Sequence, residues 1–307
     1  MPHMEDAMLR YPMRVVFALI LFTLLTAASE SEDPAAPPQI QYGEPRQLAV
    51  LADRNINESS GLARSFLNQG AFWTHNDSGD VPRVFLIDQQ GQTLATLLVE
   101  GAEAIDWEDM ASFRHGDNSY LLIADVGDND AEREVCTLYT VAEPKIERTE
   151  RPPVVRRRPS MTVRFSYEDG PHNCESVAVD PVQEMIYLVT KLGRNECKVY
   201  TLPFPEAEDA GRMIARSIAT LTIRRATAMD ISSDGSRAVV LRYRHAREYE
   251  RRAGETWADA FSREGRVLTM PRREQGEAIC YGPDGKTLYL TSEGVSQPLW
   301  EVPVVSE

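Results

Sequence analysis

Positive charge is scarce in this chain. Against 47 Asp and Glu stand 33 Lys and Arg, a net charge of −14. That balance argues against a non-specific grip on nucleic acid or anionic lipid, and it suits cation binding. Long apolar runs are missing too. The N-terminal run VVFALILFTLL, Val15 to Leu25, has 11 residues, well short of the roughly 20 that a membrane-spanning helix needs. No cysteine follows it, which argues against a lipoprotein anchor. GxSxG, HExxH, P-loop and CxxC motifs are all absent, so the common signatures of hydrolase, zinc, nucleotide and dithiol chemistry are not written here. Cysteine is limited to Cys136, Cys174, Cys197 and Cys280. A Cys174–Cys197 bridge would tie two loops together, but spacing cannot decide it. Cys280, inside a strand pattern, reads as a small buried residue.

What is present fits a globular, exported protein. The 307 residues suffice for one large domain or two small ones, and 42% hydrophobic content supports a real core. Arg10 and Arg14, the apolar run, and Thr26 and Ala28 in a small-x-small pattern read as a secretory signal peptide over residues 1–28. An uncleaved N-terminal anchor is the competing reading. Cleavage removes Arg10, Arg14, Glu5 and Asp6, so the mature charge stays at −14. Residues 29–43, which include SEDPAAPPQ, read as a flexible leader.

The remainder repeats. ESVAVDPVQEMIYLVTK from Glu175 aligns without a gap on EAICYGPDGKTLYLTSE from Glu277 and on TAMDISSDGSRAVVLRY from Thr227. It aligns on EDMASFRHGDNSYLLIAD from Glu108 with one extra residue, and on ESSGLARSFLNQGAFWTHN from Glu58 with two. The starts lie 50, 67, 52 and 50 residues apart. Each copy is a strand, a turn and a strand, with Asp234-Gly235 and Pro283-Asp284-Gly285 where hairpin turns belong. Two further strands fit each interval, and ETWADAFSRE reads as a helical insert. The last unit lacks a strand, which RQLAVLA (46–52) can supply. The pattern predicts an all-β fold: a five-bladed β-propeller over residues 44–305, closed by its N-terminal strand. EPKIERTERPPVVRRRPS, which fills the longest interval, reads as a solvated, poorly ordered loop.

In a propeller the first strand of each blade lines the channel, so equivalent positions form a ring. Glu58, Glu108, Glu175 and Glu277, with Thr227 as the exception, are the expected metal ligands. Clustered carboxylates must either hold protons or share a cation. An all-oxygen ring suits Ca²⁺, or Mg²⁺. Ser59, Ser176 and Asp109 follow as further candidate oxygens. The competing reading is a water-filled acidic channel. The returning strands end at Asn76, Asp125, Lys191, Tyr243 and Glu293, with His75, Asp77, Asp128, Asn129, Arg242 and His245 nearby and His172 on the same face. From these, His75, Asp77, Asp125, Lys191 and Arg242 are the candidate catalytic residues; each histidine read singly is structural. The loops WTHNDSGD, DWED and DVGDND gather carboxylates, amides and glycine, as ligand-presenting loops do and as plain Asx-turns also do. Trp73 and Trp107 read as core between blades, with sugar stacking as the weaker alternative.

The set ESSGL, WTHNDSGD, DWEDMA, DVGDND with Arg133, and CESVAVD resembles a family of exported bacterial β-propeller proteins of largely unassigned function. The resemblance implies fold and export more than a reaction. More loosely, the glutamate ring is similar to the channel of calcium-dependent apyrases, five-bladed propellers that hold calcium with inward acidic and hydroxyl side chains. The apyrase sequence motifs are not visible here, so nucleotide hydrolysis does not carry over. Two functions follow as expectations. One is a periplasmic or extracellular metal-dependent hydrolase of phosphoesters or anhydrides. There the metal activates water, Lys191 and Arg242 hold the anion, and His75 or an Asp moves the proton. The other is a non-catalytic binding propeller of the cell envelope with a structural channel ion. Either is expected to act as a monomer on a small anionic ligand or an envelope component, with no nucleic acid and no membrane span after signal cleavage.

Overall fold

The computed structural model describes residues 40–191, 195–204 and 211–306. The signal-peptide reading lies outside the described residues, as does most of the leader. The described chain is all-β, with one helix of two turns or less, Trp257–Ser262.

Period-2 alternation and tight turns build antiparallel meanders. Ser59–Arg64, Ala71–Asn76, Arg83–Asp88 and Thr93–Val99 follow one another in one sheet. Trp107–His115, Asn118–Asp125, Cys136–Ala142 and Met161–Tyr167 form the next meander, and Cys174–Asp180, Met185–Thr190, Cys197–Pro203 and Arg212–Leu221 the third. The last strands of these two meanders pair in parallel, Arg164 opposite Arg212, which merges them into a single eight-stranded sheet. The fourth sheet element runs Ala228–Ile231, Arg237–Leu241, His245–Glu250 and Arg266–Thr269. In the last sheet, Ala278–Tyr281, Leu288–Thr291 and Pro298–Val302 accept Arg46–Val50 as the fourth strand. The chain thus lends its N-terminal strand to its C-terminal sheet, which covers an edge.

The first strands of the five meanders meet. Ser59–Arg64 packs on Trp107–His115, that strand on Cys174–Asp180, then Ala228–Ile231, then Ala278–Tyr281, which returns to Ser59–Arg64. Two aspartates, Asp109 buried and Asp230 half-buried, pin this cycle. Asp109 Oδ2 accepts backbone N–H groups from Val177 at 2.9 Å and Met229 at 3.1 Å, and Oδ1 accepts from Met110. Asp230 accepts from Ile231 at 2.8 Å and Tyr281 at 2.7 Å. Burial drives the Asp109 carboxyl well up and the Asp230 carboxyl to about 7. Asp109, expected as a further metal oxygen, is turned inward to the backbone instead.

Two expectations need correction, and two readings left open by the sequence are decided. The EPKIERTERPPVVRRRPS segment contains a strand, Val154–Arg157, paired in parallel with Thr93–Val99 as the fifth strand of its sheet. Its Val-Val pair satisfies an edge that the charge run obscured. The described end of the leader is part of the fold: Ile40 is buried. Gln41–Tyr42 pairs with Val304–Ser306, and the Tyr42 hydroxyl donates to Glu248 at 2.6 Å. The fold therefore includes residues 40–43 and residue 306. All four cysteines are buried, and Cys174 is a free thiol in a different core cluster from Cys197, so no 174–197 bridge forms. Trp73 and Trp107 lie fully within the core between the first two meanders, which leaves no face for a sugar.

Candidate metal centre

The site is built on a repeated irregularity. In the second meander the register shifts between Trp107 and Asp109, and in the third between Cys174 and Ser176. Glu108 and Glu175 are therefore the extra residues of two equivalent β-bulges, and a bulge re-aims its side chain. Thr227 and Glu277 immediately precede the matching pairs Ala228–Leu241 and Ala278–Thr291. In the first meander the shift falls between Ser59 and Gly61, so Ser60 holds the ring position. Glu58 lies two residues earlier, is exposed, and bridges to Glu293. The register thus places the ring position two residues past Glu58, and this removes Glu58 from the ring. The observed ring is Ser60, Glu108, Glu175, Thr227 and Glu277.

The ring is not uniform. Lys191 Nζ lies 2.6 Å from Glu175 Oε2 and 3.9 Å from Glu277 Oε1, and 5.4 Å from the Tyr243 ring centroid. Asn173 donates to Glu175 Oε1 at 3.0 Å. Burial raises Glu175, with Lys191 opposing, and burial pushes Glu277 up to about 9, with neighbouring Glu293 adding to the rise. Lys191 is raised by its carboxylate partners. It is a resident counter-ion. Thr227 donates its hydroxyl to Gly276 O at 2.9 Å.

Glu108 has a different partner set. One carboxylate oxygen from each of Glu108, Asp106 and Asp77 lies within 4.8 Å of the other two. Oxygens bound to one Ca²⁺ at about 2.3–2.6 Å stand at most about 5 Å apart, so this trio is within chelating reach. None of the three forms an ion pair among the described residues. Burial raises Glu108 well above its ordinary value, and Glu175, Asp77 and Asp106 raise it further. Asp106 is pushed to about 6 by burial first, then by Asp77 and Glu175. Gly127 backs the trio: a Cβ there would stand 2.3 Å from Glu108 Oε1 and 2.4 Å from the Asp106 carboxyl, so only glycine permits this approach.

The other expected site residues disperse. His75 is fully buried beside Trp107. Its Nδ1 contacts Asn76 O at 2.8 Å, and burial lowers its pKa, so it is a neutral core residue without access to a substrate proton. Asp125 pairs with Arg133 at 2.9 Å and accepts the Asp106 N–H at 3.1 Å. Asn76 does the equivalent for the N–H groups of Asn57 and Glu58. Asp128 accepts from Glu132 and Arg133, plain Asx-turn chemistry, while Asn129 accepts from Asn173 at 3.2 Å. His172 bonds Asp169 and Tyr200 in a separate network. The three histidines do not converge. Arg242 and His245 line a cavity of about 430 Å³ with Arg224, Arg225, Arg244, Tyr243 and Glu274. None of these four arginines forms an ion pair among the described residues. Tyr243 touches both this cavity and Lys191. Asp106 was the residue missed individually. Its signal was the acidic DWED loop directly before the repeat.

Neither a protein-family model nor a curated protein matches the sequence. Among solved structures the chain is similar to the crystal structure of the major Malassezia sympodialis allergen Mala s 1, with a TM-score of 0.54 and 13% identity, covering 86% of this chain and 98% of that one. At that identity the likeness speaks to the fold alone. Among the described residues, no helix is long and apolar enough to cross a membrane.

Proposed function

We propose that the protein is an exported five-bladed β-propeller that binds a divalent cation, best Ca²⁺, through Asp77, Asp106 and Glu108, and holds an anionic, phosphate-bearing ligand beside it. The cycle of five first strands and the borrowed N-terminal strand support the propeller reading. The observation that carries the cation is the trio itself: three carboxylates within 4.8 Å, two of them raised, with no ion-pair partner among the described residues. A hard dication relieves that repulsion, and the oxygen-only donor set suits Ca²⁺ over softer metals. The arginine-lined cavity next to Tyr243 supplies the anion site, as guanidinium groups do for phosphate. Binding at the envelope is the primary reading, because His75 and Asp125, two of the expected catalytic residues, are committed to buried structural contacts.

Hydrolysis of a phosphoester is the second reading. One observation favours it: three carboxylates leave coordination positions free for water and substrate, with Lys191 near Tyr243 and Tyr243 lining one cavity with Arg242. Calorimetric titration with Ca²⁺ and Mg²⁺ tests the primary reading. Saturable Ca²⁺ binding that vanishes in Glu108→Gln is the expected result; a wild-type protein indifferent to millimolar Ca²⁺ would sink it. Phosphate release from phosphomonoesters, nucleotides or phytate that requires the metal would promote the second reading over the first.

A further inference from the structure

A buried guanidinium elsewhere in the fold has no ion pair among the described residues. Arg273 precedes the strand Ala278–Tyr281 and is 6% exposed. Its Nη1 donates to Thr291 O at 3.2 Å, while Nε and Nη2 are buried with no partner. Those two nitrogens form the side edge of the guanidinium, where two parallel N–H groups match the two oxygens of a carboxylate. Gly276 covers the plane of the group. A Cβ there would stand 2.6 Å from Cζ and Nη2, so glycine is required and the fork is held in place. Burial alone lowers the Arg273 pKa to about 9. Nothing among the described residues offsets that cost.

Arg273 lines a cavity of about 480 Å³, a volume typical of small-molecule sites. Trp300 lines the same cavity, and its Nε1–H is a third buried donor without a partner. The rest of the lining has the opposite sign. Glu58, Glu274 and Glu293 line the cavity together with Arg272, and Gln275 donates to Glu293 at 2.5 Å. Burial and the charges of Asp77 and Glu293 raise Glu58. A doubly charged phosphate would meet three carboxylates here. A ligand carrying one carboxylate and one ammonium satisfies both ends.

We propose that this cavity binds a small zwitterion of the amino-acid class, its carboxylate on the Arg273 fork and Trp300 Nε1, its ammonium toward Glu58 and Glu293. The site shares no residue with the Asp77, Asp106 and Glu108 trio and requires no metal.

The test is calorimetry on the purified protein in EDTA, followed in parallel by tryptophan fluorescence. The probes are L-alanine, L-leucine, acetate, methylammonium and inorganic phosphate. At least one amino acid should bind saturably with a Kd of about 1 mM or tighter, with acetate and methylammonium weaker by about tenfold or more and phosphate not binding. Arg273→Lys keeps the charge, loses the fork, and should weaken binding about tenfold or more. Should that variant not fold, Trp300→Phe and Glu58→Gln/Glu293→Gln decide. The first should weaken both amino acid and acetate; the second should lower the amino acid to the level of acetate. A cavity filled by water only, seen as no saturable binding of either amino acid, overturns the proposal. So does phosphate binding as tightly, or affinity unchanged in Trp300→Phe and the double variant.

Discussion

Glu108 and Glu175 occupy the same bulge in neighbouring meanders and are equally buried, each 2% exposed. Glu175 meets Lys191 at 2.6 Å; Glu108 meets Asp77 and Asp106. The repeat fixes where a carboxylate points, and the residue at the end of the returning strand fixes what it meets. Lys191 and Asp77 hold corresponding places: each N–H bonds the backbone carbonyl just before an inner strand, Asn173 O and Glu58 O. One substitution of sign turns a self-neutralised carboxylate into a candidate ligand for an external cation.

Removing the resident cation should break that contrast most severely. Lys191→Met strands Glu175 with no counter-charge, and loss of one partner from a buried pair costs about 3–5 kcal/mol. Chemical denaturation in EDTA measures it. A loss near the surface-pair level of about 1 kcal/mol or less would mean that Lys191 is a bystander. The variant should also gain stability from Ca²⁺ beyond the wild type, because both sides of the ring would then need it.

The protonated aspartates give the next effect. The folded-state carboxyl of Asp230 is raised from 3.8 to about 7. The folded chain therefore keeps a proton that the unfolded chain releases. Stability is highest below the unfolded value and falls as pH rises from about 4 to about 7, by up to about 4 kcal/mol. Glu277, raised to about 9, extends the same sign to higher pH. Denaturation midpoints in metal-free buffer should therefore drop from pH 5 to pH 8, and Asp230→Asn should flatten the slope. A midpoint that rises over that range would refute the assignment.

Metal dependence separates the two sides directly. At a hundred times its Kd, Ca²⁺ should stabilise the protein by about 2.7 kcal/mol. Glu108→Gln should abolish that gain and Glu175→Gln should leave most of it. Equal losses in the two variants would mean a single shared ion at the axis, not one held at the Asp77 side.

Much of this was legible in the sequence, for a physical reason. Strand-turn-strand spacing and Asp-Gly turns are local, so the repeats, the borrowed strand at Arg46–Val50 and the helix over Trp257–Ser262 could be read directly. Glu108, Glu175 and Glu277 stood out because their position recurs. Partnership is not local. Lys191 read as an anion binder, and only the fold reveals the carboxylate it already serves. His75 read as a proton shuttle because it falls at the end of a returning strand, yet every residue of Ala71–Asn76 is buried and His75 packs against Gly61 and Trp107. Val154–Arg157 was hidden because edge pairing in parallel requires no hydrophobic alternation of its own.

Glu58 provides the smallest and sharpest test of register. Sequence alignment makes it a ring ligand; the bulge at Ser60 makes it an exposed residue beside the ring. An exposed carboxylate away from the ion contributes only screened, long-range attraction. Glu58→Gln should therefore change stability by no more than about 0.5 kcal/mol, and Ca²⁺ affinity by less than about threefold, or roughly 0.7 kcal/mol. Asp77→Asn, only nineteen positions along the chain but inside the trio, should cost far more affinity. If the two variants lose Ca²⁺ equally, Glu58 swings into the ring when the ion binds, and the register of the first meander in the cation-bound protein is the one that the sequence repeat predicts.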